Sequence, residues 1–133
     1  LAEQKGVDLQ MGRIQEVTIM GDKVRLQQLF TNLIDNAIKY TSEGSIRIMV
    51  EKDEGHAVVQ VVDTGIGIPQ GEQEKIFKRF YRVDKSRSKE TGGVGLGLSI
   101  AEWIAKAHQG RIEVNSELNR GSTFTVYLPF LKP

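Results

Sequence analysis

The sequence predicts an α+β fold: a two-layer α/β sandwich with a mixed, mainly antiparallel sheet, three helices on one face of it, and a mobile lid. Three observations lead there. Two pairs of strand-like segments stand side by side with a short turn between them, Ser45–Lys52 with Ala57–Asp63 and Arg111–Ser116 with Ser122–Leu128. Such hairpins make antiparallel neighbours. Segments with apolar residues at helical spacing alternate with these pairs, so helices cover a sheet. At 133 residues the chain holds one core and is short for two.

Leu1 to Lys5 reads as the tail of a helix stopped by Gly6. Residues 1–6 are therefore expected to be the end of a linker and residues 7–133 the domain. Leu1 in place of an initiator Met suggests a fragment of a longer chain. Val7–Met11 and Val17–Met20 are expected as short strands, with Gly12 and Arg13 in the connection. Gly21-Asp22 supplies a turn and an N-cap, and a long helix follows to about Tyr40. Its core face is Leu26, Leu29, Phe30, Leu33 and Ala37. Ser42, Glu43 and Gly44 break it, and the first hairpin turns around Glu54-Gly55. A short second helix is expected over Glu72–Phe77. Lys78 to Gly95 carries six basic and two acidic residues with almost no periodicity, the mark of a functional lid or of disorder. A third helix is expected from about Leu96 to Gln109, closed by Gly110. The last hairpin turns at Asn119–Gly121.

Composition removes several classes of function. The chain is 39% hydrophobic and 26% charged, as soluble globular proteins are. Eighteen Lys and Arg nearly cancel seventeen Asp and Glu, so no overall field attracts nucleic acid. With no Cys, there are no disulfides, thiolate metal sites or thiol nucleophiles. His56 and His108, the only two histidines, leave little for a zinc site or a Ser-His-Asp triad. No apolar run approaches 18 residues and no signal peptide is visible.

Glycine is the exception to this ordinary composition: 14 in all, seven of them between Gly65 and Gly97. The run Val58 to Gly67 begins as a strand and ends in Asp63, followed by two glycines spaced by one. Asp63 stands at the mouth of the strand, and the glycines let something flat approach the backbone. A strand ending in Asp-x-Gly is also an ordinary turn. On the first helix Asn32, Asn36 and Lys39 lie within about 60° of one another at ~100° per residue. Asn is a poor interior helix residue, so the stripe is either a solvated edge or a site. An amide oxygen suits Mg²⁺ and a lysine suits phosphate. Gly92-Gly93-Val94-Gly95-Leu96-Gly97-Leu98 opens the third helix. It is either a hinge or a string of exposed N–H groups for an anion. It matches neither the dinucleotide nor the P-loop fingerprint.

Together these residues resemble the catalytic, ATP-binding domain of bacterial sensor histidine kinases, within the gyrase/chaperone/kinase/mismatch-repair ATPase superfamily with its Bergerat-type fold. Asn32-Leu-Ile-Asp-Asn36-Ala-Ile-Lys39-Tyr40-Thr41 resembles the N box, and Asp63-Thr-Gly65-Ile-Gly67-Ile the first glycine box. Phe77-Lys-Arg-Phe80-Tyr-Arg82-Val-Asp resembles the F box, and Gly93-Val-Gly95-Leu-Gly97-Leu the second glycine box. Gly121-Ser-Thr123-Phe124 resembles the final glycine box. Val94 departs from the Thr or Ser usual in the family.

The resemblance implies a domain that binds Mg-ATP under an ATP lid and donates the γ-phosphate to a histidine on a separate dimerisation domain. It implies that Asp63 accepts a hydrogen bond from the adenine amino group, with Thr123 supporting through water. Asn36 holds Mg²⁺, with Asn32, Lys39 and Tyr40 alongside. Gly65, Gly67, Gly93, Gly95, Gly97 and Leu98 line the nucleotide, and Arg82 stabilises charge on the transferring phosphoryl group. Phe77 and Phe80 anchor the lid, while Trp103 and His108 pack or face solvent. Hydrolytic members of the superfamily carry Glu where this chain has Asn32, and an amide cannot take a proton from water. The implied partners are the dimerisation domain and, through the full-length kinase, a response regulator, with no nucleic acid and no membrane contact by this domain. The implied place is cytoplasmic, the parent being a possible inner-membrane receptor. The alternatives are a Ser/Thr kinase of the anti-sigma type and a non-catalytic nucleotide-binding module of the same fold.

Overall fold

The computed structural model describes residues 7–14, 21–41, 44–53, 55–73, 75–78 and 97–129. Strand β3 (His56–Asp63) alternates half-buried and buried side chains along its whole length, the signature of a strand with one face on a core. It runs antiparallel to β2 (Gly44–Lys52) on one side and to β5 (Gly121–Pro129) on the other. β4 (Arg111–Glu117) closes that edge antiparallel to β5, and β1 (Val7–Ile14) lies parallel to β2 at the opposite edge. The sheet order is β1-β2-β3-β5-β4, mixed and mainly antiparallel as expected.

Register places Ile48, Val61, Phe124 and Val114 in one row across the sheet, and Val50, Val59, Val126 and Ile112 in the next. Helix α1 (Lys23–Tyr40) adds Leu29, Leu33 and Ala37 to the same core, and helix α2 (Gly97–Ala107) adds Ala101, Ile104 and Ala105. Each large side chain so buried contributes about 1.5–3 kcal/mol. Phe77 stands edge-on to Phe124, ring centroids 6.3 Å apart, so the predicted anchor at Phe77 does rest on the core. The opposite face of the sheet is covered by cross-strand pairs such as Arg111 over the Tyr127 ring at 3.9 Å.

Four expectations are corrected. Gly12 and Arg13 do not connect two strands; they lie within β1, where the pairing register shifts between Met11 and Ile14, as a bulge does. The second strand expected at Val17–Met20 lies outside the described residues. Glu72–Phe77 is not an α-helix. A 3-10 turn, Gln70–Glu72, leads into further three-residue steps, Lys75 N–H to the Glu72 carbonyl and Lys78 N–H to the Lys75 carbonyl. Among the described residues there are thus two α-helices on the core face, not three. So short a segment does not repay helix nucleation, and tertiary anchors shape it instead. Finally, Gly110 does not supply the left-handed residue that ends α2. Gln109 does, with φ 64°, and the N–H groups of Gln109 and Gly110 reach the Lys106 and Ala105 carbonyls as in a Schellman ending. Gly110 serves packing, since a Cβ there would strike the Tyr127 carbonyl. The predicted linker, residues 1–6, and the lid beyond Lys78 lie outside the described residues.

Candidate functional site

Asp63 is the last residue of β3 and is only 5% exposed. Its Oδ1 accepts the Gly65 N–H at 2.9 Å, and the Ser122 backbone N–H also stabilises the carboxylate. Burial raises its pKa above the ordinary carboxylate value, with the two N–H groups opposing that rise. Among the described residues no cation acts on it, which makes its burial costly, and it stands at a strand end, followed by glycines.

The loop after Asp63 is fastened on both sides. From α1, the Tyr40 carbonyl accepts the Ile66 N–H at 3.2 Å. From the β4–β5 hairpin, Asn119 N–H donates to the Ile66 carbonyl at 2.7 Å, and Ser116 Oγ accepts the Ile68 N–H at 2.7 Å. Gln73 Nε2 donates to the Ile68 and Ser116 carbonyls at 3.1 and 2.8 Å. Both motif glycines are demanded by this clamp. A Cβ on Gly65 would collide with the Tyr40 carbonyl, and one on Gly67, at φ 71°, with the Glu117 carbonyl. The loop therefore presents backbone, not side chains, beside Asp63.

The other wall is the end of α1. Asn32, Asn36, Lys39 and Tyr40 are all half-buried on it, and Lys39 stands in the last turn, where the helix dipole favours a cation. Asn32 Nδ2 donates to the Gly97 carbonyl at 3.2 Å, tying the middle of α1 to the first residue of α2. Thr41, the C-cap, is fully buried, and among the described residues its Oγ1 has no partner. A Cβ on Gly65 would come within 2.8 Å of that hydroxyl. An unpartnered buried hydroxyl costs roughly 1–3 kcal/mol, and its place beside Gly65 puts a spare polar group next to the Asp63 loop. An acceptor, a backbone cradle and this hydroxyl together suit a flat, polar-edged ring such as a purine.

The sequence-predicted residues distribute as follows. Asp63 meets Gly65, the Tyr40 carbonyl meets the loop at Gly65 and Ile66, Gly67 lies against Glu117, and Asn32 joins Gly97 to the stripe that holds Asn36 and Lys39. Leu98 is half-buried and packs against the core. Thr123 is not brought to Asp63. It pairs with Val62 and so lies on the opposite face of the sheet, whereas Ser122 pairs with Asp63 and shares its face. Strand parity was the available signal, because Phe124, Val126 and Leu128 alternate inward and carry Ser122 inward with them. Ser116, Gln73 and Asn119, the clamp residues, were also missed; nothing local in the sequence marks them. Arg82, Gly93, Gly95 and Phe80 lie outside the described residues.

Residues 21–132 match the sequence profile of the histidine kinase-, DNA gyrase B-, and HSP90-like ATPase family. The chain belongs to this family. It is 49% identical over 115 residues to the sensor histidine kinase RppB of Synechocystis sp., covering 86% of this chain and 25% of that protein. It is 41% identical over 134 residues to the signal transduction histidine-protein kinase BarA of Escherichia coli K12, covering 96% of this chain and 15% of that one. The chain thus spans a quarter or less of the length of these relatives. Among solved structures it is similar to full-length ShkA in complex with AMPPNP, at TM-score 0.84 and 30% identity over 99% of this chain and 27% of ShkA. It is also similar to the nucleotide-free catalytic domain of histidine kinase ThkA, at TM-score 0.81 and 30% identity over 97% of this chain and 84% of that domain. The fold is therefore that of a histidine kinase ATPase domain. No described helix is long and apolar enough to cross a membrane.

Proposed function

We propose that this domain binds Mg-ATP with the base at Asp63 and passes the γ-phosphate to a histidine on a separate dimerisation domain, as the catalytic part of a two-component sensor kinase. The observation that carries this reading is the end of β3: a carboxylate nearly out of solvent, steadied by two N–H groups and bordered by two glycines that neighbouring backbone makes irreplaceable. Such a group accepts from the amino edge of adenine and repels the oxo edge of guanine. The names of the relatives and the AMPPNP bound to ShkA support the nucleotide and the reaction class.

Asn36 would hold magnesium through its amide oxygen, and the bound ion would supply charge neutralisation at the phosphates. Lys39 and the N–H groups of Gly93, Gly95 and Gly97 bind the phosphate tail. Arg82 stabilises charge on the transferring group. Asn32 positions α1 against α2 and cannot serve as a base, which favours transfer to protein over hydrolysis. His108 is no phosphoacceptor, because its Nδ1 donates to the Ile104 carbonyl and its Nε2 accepts the Asp22 N–H. His56 opens β3 beside Asp53. On this reading the acceptor histidine lies on the dimerisation domain, the catalytic domain is cytoplasmic, and a response regulator takes the phosphate onward.

Calorimetry with Mg-ATP, then labelled ATP with a separately supplied helical dimerisation domain, tests the reading. The expected result is binding followed by an acid-labile phosphohistidine on the added domain. Acid-stable label, or binding without label, would overturn the histidine kinase assignment. Arg82→Ala is expected to keep ATP affinity and to slow transfer about 10³-fold.

A further inference from the structure

Ser116 sits in β4 with its hydroxyl among three partners. Its Oγ accepts the Ile68 N–H at 2.7 Å, donates to the Gly121 carbonyl at 2.9 Å, and lies 2.7 Å from Ser122 Oγ. A serine hydroxyl has one proton and two lone pairs. The carbonyl can only accept and the amide can only donate, so the proton and one lone pair of Ser116 are committed. With all three contacts made at once, one lone pair remains for Ser122, which is then the donor in a pair where either oxygen could donate.

Ser122 lies opposite Asp63 in the β3–β5 register and shares its face of the sheet. With its proton on Ser116, the Ser122 hydroxyl has only lone pairs to offer any further partner on that face. Asp63 is itself an acceptor already served by the Gly65 N–H. The two side chains at this end of the sheet thus form an acceptor-only edge. Gln73 braces the arrangement from behind, donating to the Ser116 and Ile68 carbonyls.

We infer that Ser116 is a specificity-positioning residue: by taking the Ser122 proton it keeps the base edge free of donors, so that a purine with an amino group at the 6-position is accepted and one with an oxo group there is rejected. The inference rests on the reading that the base lies at Asp63. Without the Ser116 hydroxyl, Ser122 is free to rotate its proton toward the Asp63 carboxylate, competing with the adenine amino group, or toward a ligand carbonyl.

The test is the ratio of Mg-ATP to Mg-GTP affinity by calorimetry in wild type, Ser116→Ala, Ser116→Thr and the Ser116→Ala/Ser122→Ala pair. Ser116→Ala is expected to lower the ratio about tenfold, the worth of one hydrogen bond, with ATP weakened and GTP gaining. Ser116→Thr, which keeps the hydroxyl, restores the ratio. In a Ser122→Ala background, adding Ser116→Ala changes the ratio no further. If Ser116→Ala does not fold, Ser116→Cys replaces it and is expected to fall between alanine and wild type. Equal losses for both nucleotides, leaving the ratio at its wild-type value, would make Ser116 a purely structural residue and overturn the inference. A wild-type domain that binds neither nucleotide fails the Asp63 reading itself, and the inference with it.

Discussion

The two ends of helix α1 are built on opposite plans. At the N-terminal end, Asp22 Oδ1 accepts the Val24 and Arg25 N–H groups at 3.0 and 3.2 Å. The Asp22 N–H in turn donates to His108 Nε2 at 3.0 Å, and His108 Nδ1 is tied to the Ile104 carbonyl at 2.9 Å. That pairing requires the neutral ring with its proton on Nδ1. Asp22 and its neighbours are exposed, so water can stand in for any of these groups. At the C-terminal end nothing is interchangeable. Thr41 is fully buried, and the Tyr40 carbonyl receives the Ile66 N–H while pressing on Gly65. Helix ends leave carbonyls without helical partners, and here one of them holds the loop that follows Asp63. One end of the helix serves stability, and the other fixes the geometry of the site.

The widest separation between the two ends comes from Asp63→Asn. It is expected to lower ATP affinity by about 100-fold or more, because the replacement presents a donor where the base needs an acceptor. Titration calorimetry reads this directly; an affinity within a few-fold of wild type would remove Asp63 from base recognition. Gly65→Ala strikes the same end through backbone. Its Cβ meets a main-chain carbonyl that cannot swing aside, so it is expected to cost about 1–3 kcal/mol of stability and to weaken ATP binding at least tenfold. If it melts like wild type and binds ATP normally, the loop is not clamped to α1.

What could be read in the sequence divides along similar lines. The Asp22 cap, the extent of α1 and its inward Leu29, Leu33 and Ala37 were legible because capping and helical periodicity are local signals. Asp63 and its two glycines were legible as a motif at a strand end. The choice between Ser122 and Thr123 was legible only through the parity of the strand, because a motif gives order along the chain but not the phase of the strand that carries it. A one-residue difference in phase moves a side chain to the other face of the sheet. The expected helix at Glu72–Phe77 failed for a related reason. Gln73 spends its side chain on carbonyls of Ile68 and Ser116, tertiary partners that no local pattern announces. At Gly12 the glycine was a true signal of irregularity in the wrong category, a bulge in β1 in place of a break between strands.

At the N-terminal end the effects are smaller and of another kind. Asp22→Ala removes the cap and is expected to cost about 1 kcal/mol, and His108→Ala a similar amount by leaving the Asp22 N–H to water. Neither is expected to change the ATP dissociation constant. Thermal melts paired with calorimetry check both quantities in the same samples. A loss of ATP affinity in Asp22→Ala as large as that in Gly65→Ala would mean that the whole helix moves as one lever and that its ends are not separable.

The subtlest expectation concerns pH, and it sets the stability and the function of Asp63 against each other. Burial holds its pKa above the ordinary carboxylate value in the folded protein. A raised pKa means that the native state takes up the proton before the unfolded chain does as pH falls. The contribution of Asp63 to the stability of the nucleotide-free domain is therefore fully present below the unfolded pKa of about 3.9 and is lost as pH rises through the folded value. ATP binding runs the other way, since protonation removes the acceptor, so affinity declines as pH falls through that same folded value. The two curves must share one midpoint. Melting temperature and ATP affinity measured side by side from neutral to mildly acidic pH, each referred to Asp63→Asn, are expected to bend together in opposite directions. Midpoints that differ would show that another group governs one of the two, and that the acid buried at the end of β3 is not the one that meets the base.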